Sequence, residues 1–253
     1  MGLFDIFKKK EASAEASSTS GKRATPRELN RLTRVAGDKL SQNYDRQEAL
    51  QELTKIGTAD AAAGLLRRFT FSMEPSITDQ EEKEMAVAGV VSIGEEALEP
   101  IRKYCVKAES LTWPIKILRQ ILADEALVDE LLTILDQFDT EYVRNAEPKV
   151  QLINALEEVV SDDVRVAVAP FLGDMSEPVR FHAVATVFAM NNPESVPALI
   201  TALAEDESLR VRNRIAQRLA DFGWEIEESL REQCAEALPE EFELQGGHVV
   251  RVG

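Results

Sequence analysis

The sequence is poor in the residues that most often carry chemistry. Its two cysteines, Cys105 and Cys234, stand 129 residues apart in no motif spacing, which excludes a disulfide framework. Its two histidines, His182 and His248, have no cysteine or second histidine at ligand spacing, so a zinc site is not expected. Aromatic residues make up 6% of the chain, and glycine and proline number only 12 and 10. That profile suits helices built on Ala, Leu, Val and Glu. No apolar run approaches the roughly 18 residues that a membrane-spanning helix needs. A phosphate-cradling glycine loop and a G-x-S-x-G elbow are both missing. With no disulfide framework and no secretory leader, a reducing cytoplasm is the expected location.

What the chain has in excess is negative charge. Its 253 residues carry a formal net charge of −16. The division is uneven: residues 1–37 hold 8 basic and 4 acidic side chains, the remainder 21 and 41. So acidic a body repels phosphate backbones, whose binding rests on Lys and Arg, and nucleic acid is disfavoured as a partner. At 44% apolar, the chain as a whole can bury a sizeable core.

Four segments follow from composition. Residues 1–10, MGLFDIFKKK, form an amphipathic basic leader. On a helical wheel Leu3, Phe4, Ile6 and Phe7 take one side and Asp5, Lys8 and Lys9 the other, with Lys10 following. Two turns do not make a stable helix in water. Such a segment suits reversible adsorption to an anionic membrane surface, where each lysine contributes about 1 kcal/mol, or docking in an apolar protein groove. The plain alternative is a frayed terminus. Met1-Gly2 is not a myristoylation signal, because Ile6 stands where Ser or Thr is required. Residues 11–25 hold almost only Ala, Ser, Thr and charged groups, too little apolar surface to offset ordering entropy, and read as a flexible linker.

Residues 26–238 read as helices separated by short breaks. Thr25, Pro26 and Glu28 compose an N-terminal cap for the first, marked by Leu29, Leu32, Val35 and Leu40. Ala49, Leu50, Leu53 and Ile56 mark a second, stopped by Gly57, and Ala62, Leu65, Leu66 and Phe69 a third. The pattern then repeats. Arg46–Leu50 followed by Gly57 aligns with Lys83–Val87 followed by Gly94 at an offset of 37. Glu177-Pro178-Val179-Arg180 and Leu209-Arg210-Val211-Arg212 both open helices, their Val-Arg pairs 32 apart, and Glu147-Pro148 precedes Glu177-Pro178 by 30. A drifting period with two helices per unit is the mark of an α-solenoid. At roughly 35–40 residues per unit, about five to six helix pairs fit.

Glu177 through Ala185, with Val196-Pro197-Ala198-Leu199-Ile200 behind it, resembles the HEAT-repeat family, as does Ser208 through Leu219 and Gly223. The likeness points to its bacterial HEAT-like branch. The units near residues 46 and 83 match in spacing but lack the Val-Arg pair, and Trp113 to Phe138 is degenerate. The resemblance implies an all-α fold, a right-handed solenoid, and a non-enzymatic protein–protein interaction scaffold or adaptor that needs no cofactor. Within it, the arginine after Val implies a structural ladder role for Arg180 and Arg212. Relatives of other classes include bilin-lyase subunits that bind tetrapyrroles and DNA glycosylases with a basic face; the acidic body disfavours the second. Repeated His-Glu pairs, which a HEAT-like metal-dependent hydroxylase would show, are missing.

Residues 239–253 depart from the helical pattern. Glu241–Leu244 and His248–Val252 alternate around Gly246-Gly247, which predicts a small β-hairpin leaning on the last helices. The densest basic patch of the body is Arg210, Arg214 and Arg218, at four-residue spacing on one helix face. It is the candidate partner-binding face, suited to an acidic protein partner or to balancing Glu205-Asp206-Glu207. The paired carboxylates, Glu81-Glu82 among them, read as helix-start and turn residues that complement the helix dipole. Cys105 and Cys234 read as buried thiols, His182 as a structural histidine, His248 as exposed, and Trp113 and Trp224 as packing anchors. With the leader as tether, the expected location extends to the inner face of the membrane, peripherally.

Overall fold

A computed structural model describes residues 24–252. Leu3, Phe4, Ile6, Phe7, Lys8, Lys9 and Lys10 of the leader lie outside the described residues, as does all but the end of the 11–25 linker. Helix α1 (Pro26–Ala36) opens the fold, with Thr25 Oγ1 accepting the Glu28 N–H at 3.2 Å and Pro26 in the first turn. Six helix pairs follow: α2 and α3 (Asn43–Ile56, Ala59–Leu66), α4 and α5 (Ser76–Ile93, Leu98–Cys105), α6 and α7 (Thr112–Ile121, Asp124–Leu135), α8 and α9 (Glu147–Glu157, Asp162–Val168), α10 and α11 (Glu177–Ala189, Val196–Glu205), and α12 and α13 (Leu209–Phe222, Arg231–Ala237).

First members of the pairs pack on first members, α2 on α4, α4 on α6, α8 on α10 and α10 on α12. Second members form the other layer, α3 on α5, α7 on α9 and α11 on α13. The result is a two-layer solenoid with a continuous core, because each pair exposes an apolar face that only its neighbour buries. Residues Val211, Ile215, Ala216 and Leu219 of α12 show the spacing that does this, recurring along one helix face. Small residues set how closely the layers approach. A Cβ on Gly64 of α3 would stand 2.7 Å from Thr33 Oγ1 of α1 and 3.1 Å from Leu53 of α2.

Two local readings need correction. Leu40 does not belong to the first helix: it is 90% exposed. The helix stops at Gly37, and the Asp38 carboxylate accepts from the Leu40 N–H and the Ser41 hydroxyl, turning the chain away. Nor is Glu82 a turn or helix-start carboxylate. It lies inside α4, fully buried, between the guanidinium groups of Arg46 and Arg68.

That pairing is the centre of a sealed charge cluster. Arg46 Nε donates to Glu82 at 2.9 Å and Arg68 Nε at 2.7 Å, while Arg68 Nη2 reaches Asp79 at 2.7 Å. Lys83 completes it through Asp79 at 2.7 Å and the Ser72 hydroxyl at 3.0 Å. Burial pushes the Asp79 carboxyl up, but the hydrogen bonds from Lys83 and Arg68 outweigh it and hold it below the usual carboxylate range.

The C-terminal hairpin forms as its glycines predict. Strands β1 (Phe242–Gln245) and β2 (His248–Arg251) pair antiparallel, Gln245 opposite His248 and Phe242 opposite Arg251. Gly246 and Gly247, at φ +59° and +87°, make the two-residue turn. The hairpin packs on α12 and α13, burying Phe242 and Val249. Ile226 N–H donates to Gly247 O at 2.7 Å, which docks the turn itself. His248 is half-buried rather than exposed, its Nδ1 lying 3.1 Å from Gly223 O.

Candidate functional site

The arginines of α12 divide by the direction in which the helix turns them. Arg212 lies toward the second layer, and its Nη2 donates to Ala237 O at 2.6 Å. Arg180, one repeat earlier on α10, donates from Nε and Nη2 to Asp206 at 2.7 and 2.9 Å, and from Nη1 to Asp174 O at 2.9 Å. Its pKa is raised above its ordinary value by the bonds to Asp206. Lys149 of α8 makes the same reach to Asp174 at 2.8 Å, and Arg102 of α5 to Glu130 at 2.7 Å. Each cation therefore finds its partner 25 to 28 residues ahead: Arg102 on the next helix pair, Lys149 and Arg180 in the turn that leads from their own pair to the next, and Arg212 at the end of α13 in its own pair. The two aspartates also turn the chain into the following helix, accepting from Ser176 and Ser208 N–H at 2.8 Å each.

Arg210, Arg214 and Arg218 point elsewhere. Arg210 pairs with Glu177 at 3.0 Å and sits 3.5 Å over the Phe181 ring centroid. The Arg214 guanidinium lies 4.3 Å from the same ring. These arginines do not balance Glu205-Asp206-Glu207, because Asp206 is taken by Arg180 and Arg210 turns back to Glu177. Along α12 they form one wall of a cleft of about 470 Å³ whose other wall is the hairpin, which contributes Glu241, Phe242 and Arg251.

Four arginines thus meet two carboxylates, Asp221 and Glu241, in that cleft. Among the described residues Arg214, Arg218 and Arg251 make no ion pair. Arg214 Nε and Asn213 Oδ1 are buried with no hydrogen-bond partner. Burial lowers the Arg214 pKa from its ordinary value, and the guanidinium groups of Arg218 and Arg210 push the same way. Like charges crowded at a partly buried site raise one another's electrostatic cost, which a nearby anion would lower.

Sequence reasoning missed Arg251 and Phe181. Arg251 was visible only as the end of a predicted strand, and Phe181 as an aromatic beside a helix histidine. His182 packs edge-on against Phe181 at 5.6 Å, and burial lowers its pKa, with Arg214 adding to the effect. The cysteine thiols are buried and pushed up, Cys105 to about 12 and Cys234 to about 11, which keeps both protonated and unreactive. Among the described residues no group of three or more His, Cys, Asp or Glu side chains is placed to hold a metal ion, and no helix is long and apolar enough to cross a membrane.

A family model for HEAT repeats matches residues 128–220, from within α7 to the end of α12. Over those residues the chain carries HEAT repeats. No curated protein matches it at a significant level. HEAT repeats generally mediate protein–protein interaction, and their family is usually a non-enzymatic scaffold. The Lys149 and Arg180 ladder lies within the matched repeats, and the arginine cleft lies at their C-terminal end, where α12 meets the hairpin.

Proposed function

We propose that this HEAT-repeat protein is a non-enzymatic interaction scaffold that grips an acidic segment of a protein partner in the cleft between α12 and the hairpin. One observation carries the reading: Arg214, Arg218 and Arg251 line that cleft and make no ion pair among the described residues, in a chain with 45 acidic and 29 basic side chains. Cations left unpaired in so acidic a molecule are held for a ligand rather than for stability, since exposed pairs contribute little to folding. Arg180 and Arg212 serve this function indirectly: Arg180 fixes the turn that leads into α12, and Arg212 ties α12 to α13. The test is cross-linking capture from native lysate with the full chain and with R214E/R218E. Partners that vanish with the charge reversal, and whose cross-links fall on α12 and the hairpin, support the cleft. Identical capture by both proteins sinks it.

The leader extends the proposal to location. Leu3, Phe4, Ile6 and Phe7 with Lys8, Lys9 and Lys10 suit reversible adsorption at the anionic inner face of a membrane, which would recruit the scaffold from the cytoplasm. Co-sedimentation with vesicles containing phosphatidylserine, using the full chain and one lacking residues 1–23, reads this directly. Pelleting of the full chain alone supports the tether, and pelleting of neither removes it.

A further inference from the structure

Far from the arginine cleft, the start of the solenoid carries a second concave surface. It runs between α3 and α5 and the segment leading into α6, with a volume of about 740 Å³. Four aromatic residues line it, Phe71 among them, and the other three form a ladder. Phe69 and Trp113 stack with centroids 5.6 Å apart and planes 7° from parallel, and Tyr104 meets Phe69 edge-on at 6.5 Å. All three remain only partly buried. Rings of this size left half in water, next to a formed core, present apolar area that a ligand can still cover.

The rim is cationic. Arg67, Lys103 and Lys107 are exposed around the rings. Arg67 and Lys107 make no ion pair among the described residues, and Lys103 has only a solvent-exposed contact with Glu99 at 3.1 Å. One carboxylate, Glu109, shares the rim. The Tyr104 hydroxyl makes no hydrogen bond among the described residues. Burial pushes its pKa up to about 12, so it stays a donor across the physiological range. Residues 24–252 as a whole carry 42 acidic and 24 basic side chains, so this rim opposes the field of its own molecule.

We propose that the groove between α3 and α5 is a second docking site, for an acidic peptide segment of a partner protein that inserts an aromatic or large aliphatic side chain against Phe69, Tyr104 and Trp113. Carboxylates of the segment meet Arg67, Lys103 and Lys107, and the inserted side chain completes the ring ladder. Charge complementarity selects this occupant. A long polyanion such as single-stranded nucleic acid also matches rings and cations, but the surrounding acidic surface repels its further phosphates. The leader of this same chain is a poor match, because Lys8, Lys9 and Lys10 would face a rim of like charge. The groove lies outside residues 128–220 and does not depend on the arginine cleft.

Fluorescence anisotropy of the full chain tests it with three labelled probes: a ten-residue Asp/Glu peptide with one central Phe, the same peptide with Ser in place of Phe, and oligo(dT) of ten nucleotides. The Phe peptide is expected to bind, and to lose roughly ten-fold in affinity when Phe becomes Ser or when the protein carries R67E/K107E. Lys107→Glu alone, at an exposed position, is expected to weaken it in the same direction should the double variant fail to fold. Binding that survives R67E/K107E but falls with R214E/R218E overturns the groove and leaves the cleft standing. Equal affinity for the Phe and Ser peptides, tighter binding of oligo(dT), or no binding of the Phe peptide up to about 1 mM overturns the proposal as well.

Discussion

The two ends of the solenoid bury charge in opposite ways. At the start, Arg46, Arg68, Asp79, Glu82 and Lys83 collapse into one sealed cluster between α2, α4 and the turn after α3. In the later repeats charge is spread out, one cation on the first helix of each pair reaching one acceptor at or just beyond the end of the second: Lys149 to Asp174, Arg180 to Asp206, Arg212 to Ala237 O. The family match, residues 128–220, covers Lys149, Asp174, Arg180 and Asp206 and does not reach the cluster. A ladder repeats the same residue types at nearly constant spacing, which leaves a periodic signal. A single cluster solves the burial problem once, with partners 4 to 36 residues apart, and leaves none.

The contrast makes the largest predicted effect fall in the cluster. Glu82→Ala leaves two guanidinium groups buried without their shared carboxylate, and is expected to cost about 3–5 kcal/mol. Urea unfolding followed by circular dichroism measures it. Replacing all three charges, as R46M/R68M/E82L, should restore most of the loss, since apolar side chains of similar volume need no counter-charge. A cost below about 1 kcal/mol for Glu82→Ala would mean that water enters the cluster.

A break in the ladder is smaller and local. Asp206→Ala removes the bidentate partner of Arg180, which itself keeps some access to solvent, and is expected to cost about 1–3 kcal/mol. Hydrogen exchange should show lost protection in α10 and α12 while α2 and α4 are unchanged, because repeats contact only their neighbours. Loss spread evenly over the chain would contradict the repeat-by-repeat picture.

Acid separates the two regions again. The folded pKa of Asp79 lies below its unfolded value, so its contribution is complete above about pH 4 and is lost as pH falls through the folded pKa. The folded pKa of His182 is also lowered, but for a histidine the sign of the charge change differs. The unfolded chain takes up the proton first, so stability falls as pH drops below about 6.5 and levels off below the folded pKa. His182→Gln should flatten the slope between pH 7.5 and 5.5, and Asp79→Asn only the steeper limb below about pH 4. Equal slopes in wild type and His182→Gln would show that the histidine is as well solvated as in the unfolded chain.

The smallest effects on stability belong to the arginine face. Arg210→Ala removes an exposed pair with Glu177 and a stacking contact on Phe181, together about 1 kcal/mol. Arg218→Glu should change stability by no more than about 0.5 kcal/mol in thermal unfolding. A large loss from either would make this face part of the framework and not a surface held for a partner.

Much of the architecture is legible in the residues alone. Thr25-Pro26, Gly57 and Gly223 announce helix ends through capping chemistry, and Gly246-Gly247 announces the hairpin, because these preferences are local. Leu40 was misleading because its spacing fits a helix that Gly37 and Asp38 end first. Glu82 was misread for a different reason: its partners lie 14 and 36 residues away, beyond any local rule. Of the arginine face, the shared helix side of Arg210, Arg214 and Arg218 follows from four-residue spacing, whereas Phe181 and Arg251 join only through the packing of α10 and the hairpin on α12.

The amino-acid sequence by itself determined the helical repeats, their caps, the hairpin turn and the unequal distribution of charge. Each depends on backbone preference or on side-chain periodicity within a few residues. Only the tertiary structure decided which of the many charges are sealed in the core, which tie a helix to the far end of its own pair, and which are left facing a cleft. The physical reason is distance along the chain. An ion pair is worth its desolvation only when a partner from another helix is held in place, and that geometry exists only after the helices have stacked.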